Sequence, residues 1–312
     1  MTVFDLDAMI ADTQTLIEIE SPSGDLAQLH KSAIALASMI ERHIGGTCEL
    51  VESPKGPHVH WKGSNETTVM LLGHHDTVFA MGTLERLPFA VTDGVMTGPG
   101  CFDMLAGIVQ ALHGLASLDD CSHVELLFSA DEESGSHESR AFIEERALAC
   151  GNVLVLEPSA DGGGLKTGRK GCGTFDVVIT GRASHAGLEP EKGINALVEA
   201  SHQVLAINLI GDASVGTTVT PTVAKVGSTD NVVPAHGLIK VDARVETAGE
   251  KARVEAAMAG LTAHVEGASV EVSGRIGRPP MPESASASLF PIAQRVSPGI
   301  EGFAVGGGSD GN

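Results

Sequence analysis

Three stretches of this chain set acids and a histidine behind apolar runs. Val69–Gly73 runs into His74-His75-Asp76, His123–Ala130 runs into Asp131-Glu132-Glu133, and Asn152–Leu156 runs into Glu157. A fourth acid, Asp103, follows Gly98-Pro99-Gly100 where a helical pattern begins. An imidazole and several carboxylates brought together cannot all stay charged and unpaired, and a divalent cation removes the repulsion. Imidazole with carboxylate suits zinc, with manganese and cobalt as alternatives. The chemistry open to such a set is metal-assisted hydrolysis. Two ions roughly 3.5–4 Å apart can share one bridging carboxylate and activate one water. A further acid, not bound to metal, would carry the water's proton to the leaving group. Glu132 and Glu133 can divide these tasks.

Each piece alone has a plainer reading. Asp103 is a natural helix N-cap, the Asp131–Ser136 segment a solvated turn, and Glu157 a strand end. Only their joint placement favours a site.

The positioning elements can be read from periodicity. The runs at 67–73, 123–130 and 152–158 are short and mostly apolar, as strands buried on both faces of a parallel sheet are. Ligands of open α/β sheets bind beyond the carboxyl ends of such strands, so the polar clusters should meet at one edge. Leu6, Met9, Ile10, Thr13, Leu16 and Ile17 repeat at helical spacing. A second helix carries Leu26, Leu29, Ala33, Leu36, Ala37 and Ile40 and stops at Gly45-Gly46. A third buries Leu105, Ile108, Val109, Leu112 and Leu115. Beyond Gly173 the texture becomes β-α-β-β-α-β: strands at 174–180, 217–226, 237–245 and 268–276, helices at 193–210 and 249–265. This is a ferredoxin-like pattern of about 100 residues. The expected fold is α/β, a mostly parallel-sheet catalytic domain with helices on both faces (1–171 and 279–312) and an inserted ferredoxin-like α+β domain (172–278). At roughly 150 residues per domain, 312 residues suit two domains.

Composition narrows the partners. A net charge of −20 repels phosphate backbones, which argues against nucleic acid. No run approaches the roughly 20 apolar residues of a membrane span, and the N-terminus has no basic stretch leading an apolar one. Five scattered cysteines without a CxxC pattern read as reduced thiols, implying a cytoplasmic setting.

The ordered segments GHHDTV, GPGCFDMLAG, DEESGS, LEP, GRASHAG, DNVVPA, VDARVE and GGGSDGN resemble the signatures of the two-zinc aminoacylases, glutamate carboxypeptidases, acetylornithine deacetylases and succinyl-diaminopimelate desuccinylases. The texture is nearest the glutamate carboxypeptidase branch, and the resemblance covers nearly the whole chain. It implies that His74 and Glu157 bind one zinc, Asp103 bridges two, Glu133 binds the second and Glu132 is the general acid/base. Asp76 would orient the His74 imidazole, and His75 falls at a variable position. The inserted domain would be a lid and homodimer contact. His185 would reach a partner's site and stabilise an oxyanion. Asn231 and Arg244 would hold the substrate, Arg244 through its carboxylate, with Arg278 a further candidate for that carboxylate.

The family takes a last histidine ligand from downstream of the GGGSDGN region. This chain stops at Asn312, and His264, its last histidine, falls in an expected helix of the inserted domain. The expectation is therefore a piece of a longer protein. The implied activity is hydrolysis of a peptide or N-acyl amino acid bearing a free carboxylate. Alternatives are a deacetylase or desuccinylase of amino-acid biosynthesis, or an inactive metal-binding and dimerisation fragment.

Overall fold

A computed structural model describes residues 4–312. By their contacts these fall into two compact units: residues up to Ser159 with Ser309–Gly311, and Ala160–Gly308 with Asn312.

The first unit opens with helices α1 (Leu6–Ile17) and α2 (Leu26–Ile44). Asp5 and Asp25 cap them, accepting from the Ala8 and Gln28 amides. Gly45, at φ 71°, follows the last turn of α2, a conformation that favours glycine. Strands β1 (Cys48–Val51), β2 (His58–Lys62) and β3 (Val69–His74) come next. A small hairpin, β4 (Ala90–Thr92) and β5 (Val95–Thr97), precedes α3 (Ala106–Ala116). Then come β6 (Val124–Ser129), α4 (Arg140–Cys150) and β7 (Val153–Val155).

The main sheet has the order β1-β2-β6-β3-β7. Strands β6, β3 and β7 are parallel, as their apolar runs imply. The antiparallel β1–β2 pair extends one edge through β6, so the sheet is mixed. Period-two alternation splits β3 between two cores. Leu71 joins Leu16, Leu36, Ile40, Ile108 and Leu112, the layer of α1, α2 and α3. Met70 and Leu72 join Ile143 and Cys150 of α4 on the other face. Helices thus cover both faces, which buries the hydrogen-bonded strands and leaves their carboxyl ends for polar groups.

The second unit contains β8 (Leu165–Arg169), β9 (Gly171–Thr180), β10 (Ser184–His185), α5 (Ala196–Asn208), β11 (Thr218–Val226), β12 (Val232–Val233), β13 (His236–Val245), α6 (Ala248–Ala259), β14 (Ser269–Arg278), α7 (Phe290–Val296) and β15 (Gly302–Val305). Strands β11-β13-β9-β14 form an antiparallel sheet with β-α-β-β-α-β connectivity through α5 and α6. Phe175, Val177, Ile179, Ile239, Val241 and Ala243 pack with Ala200, Ile207, Val254 and Met258 of the two helices. Residues 172–278, expected as the insertion, lie wholly in this unit, which also holds the parallel pair β8–β15.

The helix expected over 249–265 ends at Ala259, because Gly260 follows it as the C-cap. His264 is therefore outside the helix, and its amide donates to Glu199. Among the described residues no helix is long and apolar enough to cross a membrane.

Candidate metal centre at the carboxyl ends of the parallel strands

Strand β3 delivers His74 as its last residue, 1% exposed. Its Nδ1 faces the Asp76 carbonyl oxygen at 2.9 Å. With Nδ1 donating there, Nε2 is the ring atom that faces the acids. That Nε2 lies 3.2 Å from Asp103 Oδ1 and 3.9 Å from Glu157 Oε1. One donor atom from each of His74, Asp103 and Glu157 falls within 4.8 Å of the others. Three donors converging from separate elements, one an imidazole held in orientation through its Nδ1, fit a zinc-class divalent ion.

Asp103 reaches this point through irregular backbone. Gly100 takes φ 73°, and a Cβ there would lie 2.6 Å from Thr77 Cγ2. Asp103 (φ −121°, ψ 95°) and Met104 (φ −134°, ψ 25°) are not helical, and the peptide between them is cis. Helix α3 starts only at Ala106. Asp103 is thus not the N-cap that its position before a helix suggested. Glu157 follows β7, where the Leu156 amide still donates to Leu72 and holds the strand end beside β3.

Asp76 organises the centre. Fully buried, its carboxylate accepts from the Glu132 amide (3.2 Å), the Glu133 amide (3.2 Å) and the Ser23 hydroxyl (2.7 Å). Its Oδ1 is 3.5 Å from His74 Nδ1. One carboxylate thereby ties the β3 end to the Glu132–Ser134 turn after β6. Burial pushes the Asp76 carboxyl up, but hydrogen bonding and the charge of His74 outweigh it and hold it below its ordinary value.

The acids also shape one another. Burial, together with the charges of Asp103, Asp76 and Glu157, raises Glu133 to about 7, against an opposing pull from His74. Burial alone would lower His74, yet Asp103 and Asp76 drive it well above its ordinary value. A site that raises an acid and a base together is short of positive charge. Glu132 is buried at 6% exposure and its charge acts on His74.

Asp131 turns away from this cluster, its Oδ2 accepting from the Glu138 and Ser139 amides near the start of α4. His75 is fully buried, bonded to Ser32 and the Pro57 carbonyl, and lowered to about 4 by burial. It is a neutral core group.

The four remaining candidates belong to the second unit. His185, exposed, ends β10 and Asn231 immediately precedes β12, where the Ala186 amide donates to the Asn231 carbonyl. His185 Nδ1 accepts from the Gly187 and Leu188 amides, so its Nε2 carries the proton. Arg244 on β13 and Arg278 on β14 both stand in register with Cys172 of β9. Directly paired residues of antiparallel strands share a face, so two guanidinium-bearing positions flank Cys172. Arg244 makes two 2.9 Å bonds to Asp242.

Several contributors left no clear trace in the sequence. Ser23 supports Asp76 from 53 residues away. Gly107 lets α3 approach the strand layer, since a Cβ there would lie 2.4 Å from the Leu156 carbonyl oxygen. Asp310, in the GGGSDGN segment, binds Ser129 and Ser136 beside the β6 end. Its place after a glycine run was the one available signal.

An α/β sheet carries a histidine and acids at its carboxyl edge, and an α+β unit follows along the chain. Residues 70–312 match the family described as Peptidase family M20/M25/M40, and the chain belongs to that family. It is 35% identical over 248 residues to carboxypeptidase G2 of Pseudomonas sp. (strain RS-16), covering 76% of this chain and 60% of that protein. It is 32% identical over 149 residues to the acetylornithine deacetylase of Proteus mirabilis (strain HI4320), covering 45% of this chain and 37% of that one. The chain thus spans less than two thirds of either relative. The crystal structure of aminopeptidase PepT from Bacillus cereus ATCC 10987 superposes with a TM-score of 0.76 at 19% identity, covering 99% of this chain and 87% of that one, a likeness of fold.

Proposed function

We propose that the chain is the catalytic part of a metal-dependent hydrolase that cleaves the amide bond of a peptide or N-acyl amino acid carrying a free carboxylate. The observation that supports it most is the convergence of His74, Asp103 and Glu157, with Glu132 and Glu133 held beside them through Asp76. In this reading His74 and Glu157 would hold one divalent ion, Glu133 a second, and Asp103 would serve both; zinc is the ion the donor set favours. Bound there, the pair would supply Lewis-acid polarisation of the scissile carbonyl and acidify the attacking water. Glu132 takes the proton from that water and returns it to the departing amine nitrogen. Asp76 keeps the His74 imidazole in the tautomer that presents Nε2.

Residues 172–278 are read as lid and homodimer contact, with His185 offering its Nε2–H to the oxyanion of a partner's site. Asn231 and Arg244 hold the substrate, Arg244 or Arg278 gripping its carboxylate. Arg244 would exchange its bonds to Asp242 for that grip. A cytoplasmic setting is the reading that the five free cysteines support.

The 35% identity to a carboxypeptidase favours an exopeptidase over the deacetylase reading. The test is Glu132→Gln in the full-length protein with zinc. Turnover of C-terminal glutamate peptides should fall at least about 100-fold while bound zinc is unchanged. Loss of the metal with the activity would reassign Glu132 as a ligand. Hydrolysis of neither dipeptides nor acyl-amino acids by the wild type would sink the reading.

A further inference from the structure

A second group of donors lies in the helical layer of the first unit. Asp12 of α1, His43 of α2 and His113 of α3 each offer one ligand atom, and the three atoms lie within 4.8 Å of one another. His43 Nε2 stands 2.7 Å and His113 Nε2 2.9 Å from the same oxygen, Asp12 Oδ2. The other oxygen is engaged by Arg42 at 2.5 Å. The two imidazole rings are 4.3 Å apart and tilted by 51°.

An ordinary buried ion pair does not need this arrangement. One oxygen can accept from both imidazoles, but two protonated rings at this separation would repel each other. The same three atoms, two Nε2 and one Oδ2, also make the donor set that one divalent ion could take in exchange for two protons. Exchanging those protons for an ion at the usual ~2.0–2.1 Å asks for small shifts of three side chains and leaves the helices in place. The helix ends help: His43 and His113 lie in the last turns of α2 and α3, where the helix dipole favours a cation. Burial raises the Asp12 carboxyl, but His43, His113 and Arg42 outweigh it, so the carboxylate is ionised at neutral pH. The side chains of Asp12, His43 and His113 keep 13%, 17% and 10% of their exposure, so the cluster is reachable from solvent.

We propose that Asp12, His43 and His113 form an additional binding site for a divalent ion of the zinc class, cross-linking α1, α2 and α3. It is separate from the centre at the strand ends: His113 lies seven residues along α3 from Ala106, about 10 Å of helix. It is a structural site, stiffening the helix whose other end follows the Asp103 turn.

The test uses zinc alone as probe, on the full chain carrying His74→Ala and Asp103→Ala so that the strand-end centre is disabled. Equilibrium dialysis with elemental analysis should still find one zinc per chain. Zinc should raise Tm by an amount on the order of 5 °C. Adding His43→Gln or His113→Gln should each weaken zinc binding by at least about 10-fold and remove the shift. Far-UV circular dichroism checks that each variant is folded, and Asp12→Asn, which keeps shape, serves where a histidine variant is not. Absence of zinc binding in the disabled background overturns the proposal. So does binding that His43→Gln, His113→Gln and Asp12→Asn leave unchanged, which would make the cluster an ion pair only. Neither result bears on the hydrolase reading, because the strand-end ligands are absent throughout.

Discussion

Asp76→Asn isolates the role of the carboxylate that joins His74 to the Glu132–Glu133 turn. Asn keeps the shape but turns one oxygen into an NH2. If Oδ1 keeps its oxygen, the Glu132 amide is still satisfied, and the NH2 faces the Glu133 amide and the Ser23 hydroxyl. Ser23 can rotate to accept; the Glu133 amide cannot, and a buried N–H loses its partner. That costs about 1–3 kcal/mol. The lost charge beside His74 also makes the imidazole a poorer ligand, which typically weakens metal binding about 10–100-fold. The Asp76 carboxyl is held below its ordinary value, so its contribution is complete above the unfolded value near 3.9 and fades as pH falls through the folded one. Urea unfolding should therefore show the wild type ahead at pH 7 and the gap narrowing in strong acid. A zinc competition titration supplies the second readout. An unchanged urea midpoint together with zinc affinity within about threefold of wild type would refute the reasoning, since no orientation or charge effect on a ligand is that small.

Glu125 is a fully buried acid within β6, lowered to about 2 as the bonds from Arg146, His60 and Thr67 outweigh the burial that raises it. Its stabilisation is present above the unfolded value near 4.5 and is lost as pH falls toward 2. Glu125→Gln should thus cost about 3 kcal/mol at pH 7 and almost nothing near pH 2, measured by urea unfolding across that range. Gly107→Ala tests the close packing of α3: alanine in a helix normally stabilises by up to about 1 kcal/mol, but here the new Cβ meets the Leu156 carbonyl, so a loss of about 1–3 kcal/mol and weaker zinc binding are expected. A Tm above wild type would show that α3 can move away at no cost.

What the sequence revealed follows the distinction between burial on two faces and burial on one. Strands β3 and β6 sit inside the sheet, so their apolar runs were unmistakable, and the polar residues ending them marked the site edge. Strand β2 reads HVHWK, with His58 and Trp61 buried and His60 half-buried, and its histidines hid a strand that pairs on both sides. Within β6 it was the burial of Glu125, not the strand, that stayed hidden, because a charge is legible as buried only when its partners, here Arg146 and His60, are known. Strands β8 and β15 pair in parallel across more than 130 residues, which no local pattern encodes.

The site divides along the same line. Residue types at strand ends pointed to His74 and Glu157, since the topology of a parallel sheet fixes where a strand's last residue goes. Asp103 lies on backbone that is neither helix nor strand, so its type and its following helix suggested a cap; its place beside His74 depends on the φ of Gly100 and on space that Thr77 leaves only for glycine. Ser23 is further still from being legible. A serine in a turn ordinarily bonds its own backbone, and only the fold brings this one to Asp76, where its short bond helps fix the carboxylate on which the Glu132 and Glu133 amides depend. Metal-binding side chains can be picked out by chemistry, whereas the groups that aim them are ordinary residues given their role by long-range packing. The Asp12, His43 and His113 cluster carries that argument to its limit: its three members are 31 and 70 residues apart in turn, each reads as a common surface residue of an amphipathic helix, and only the meeting of three helices aims them at one point.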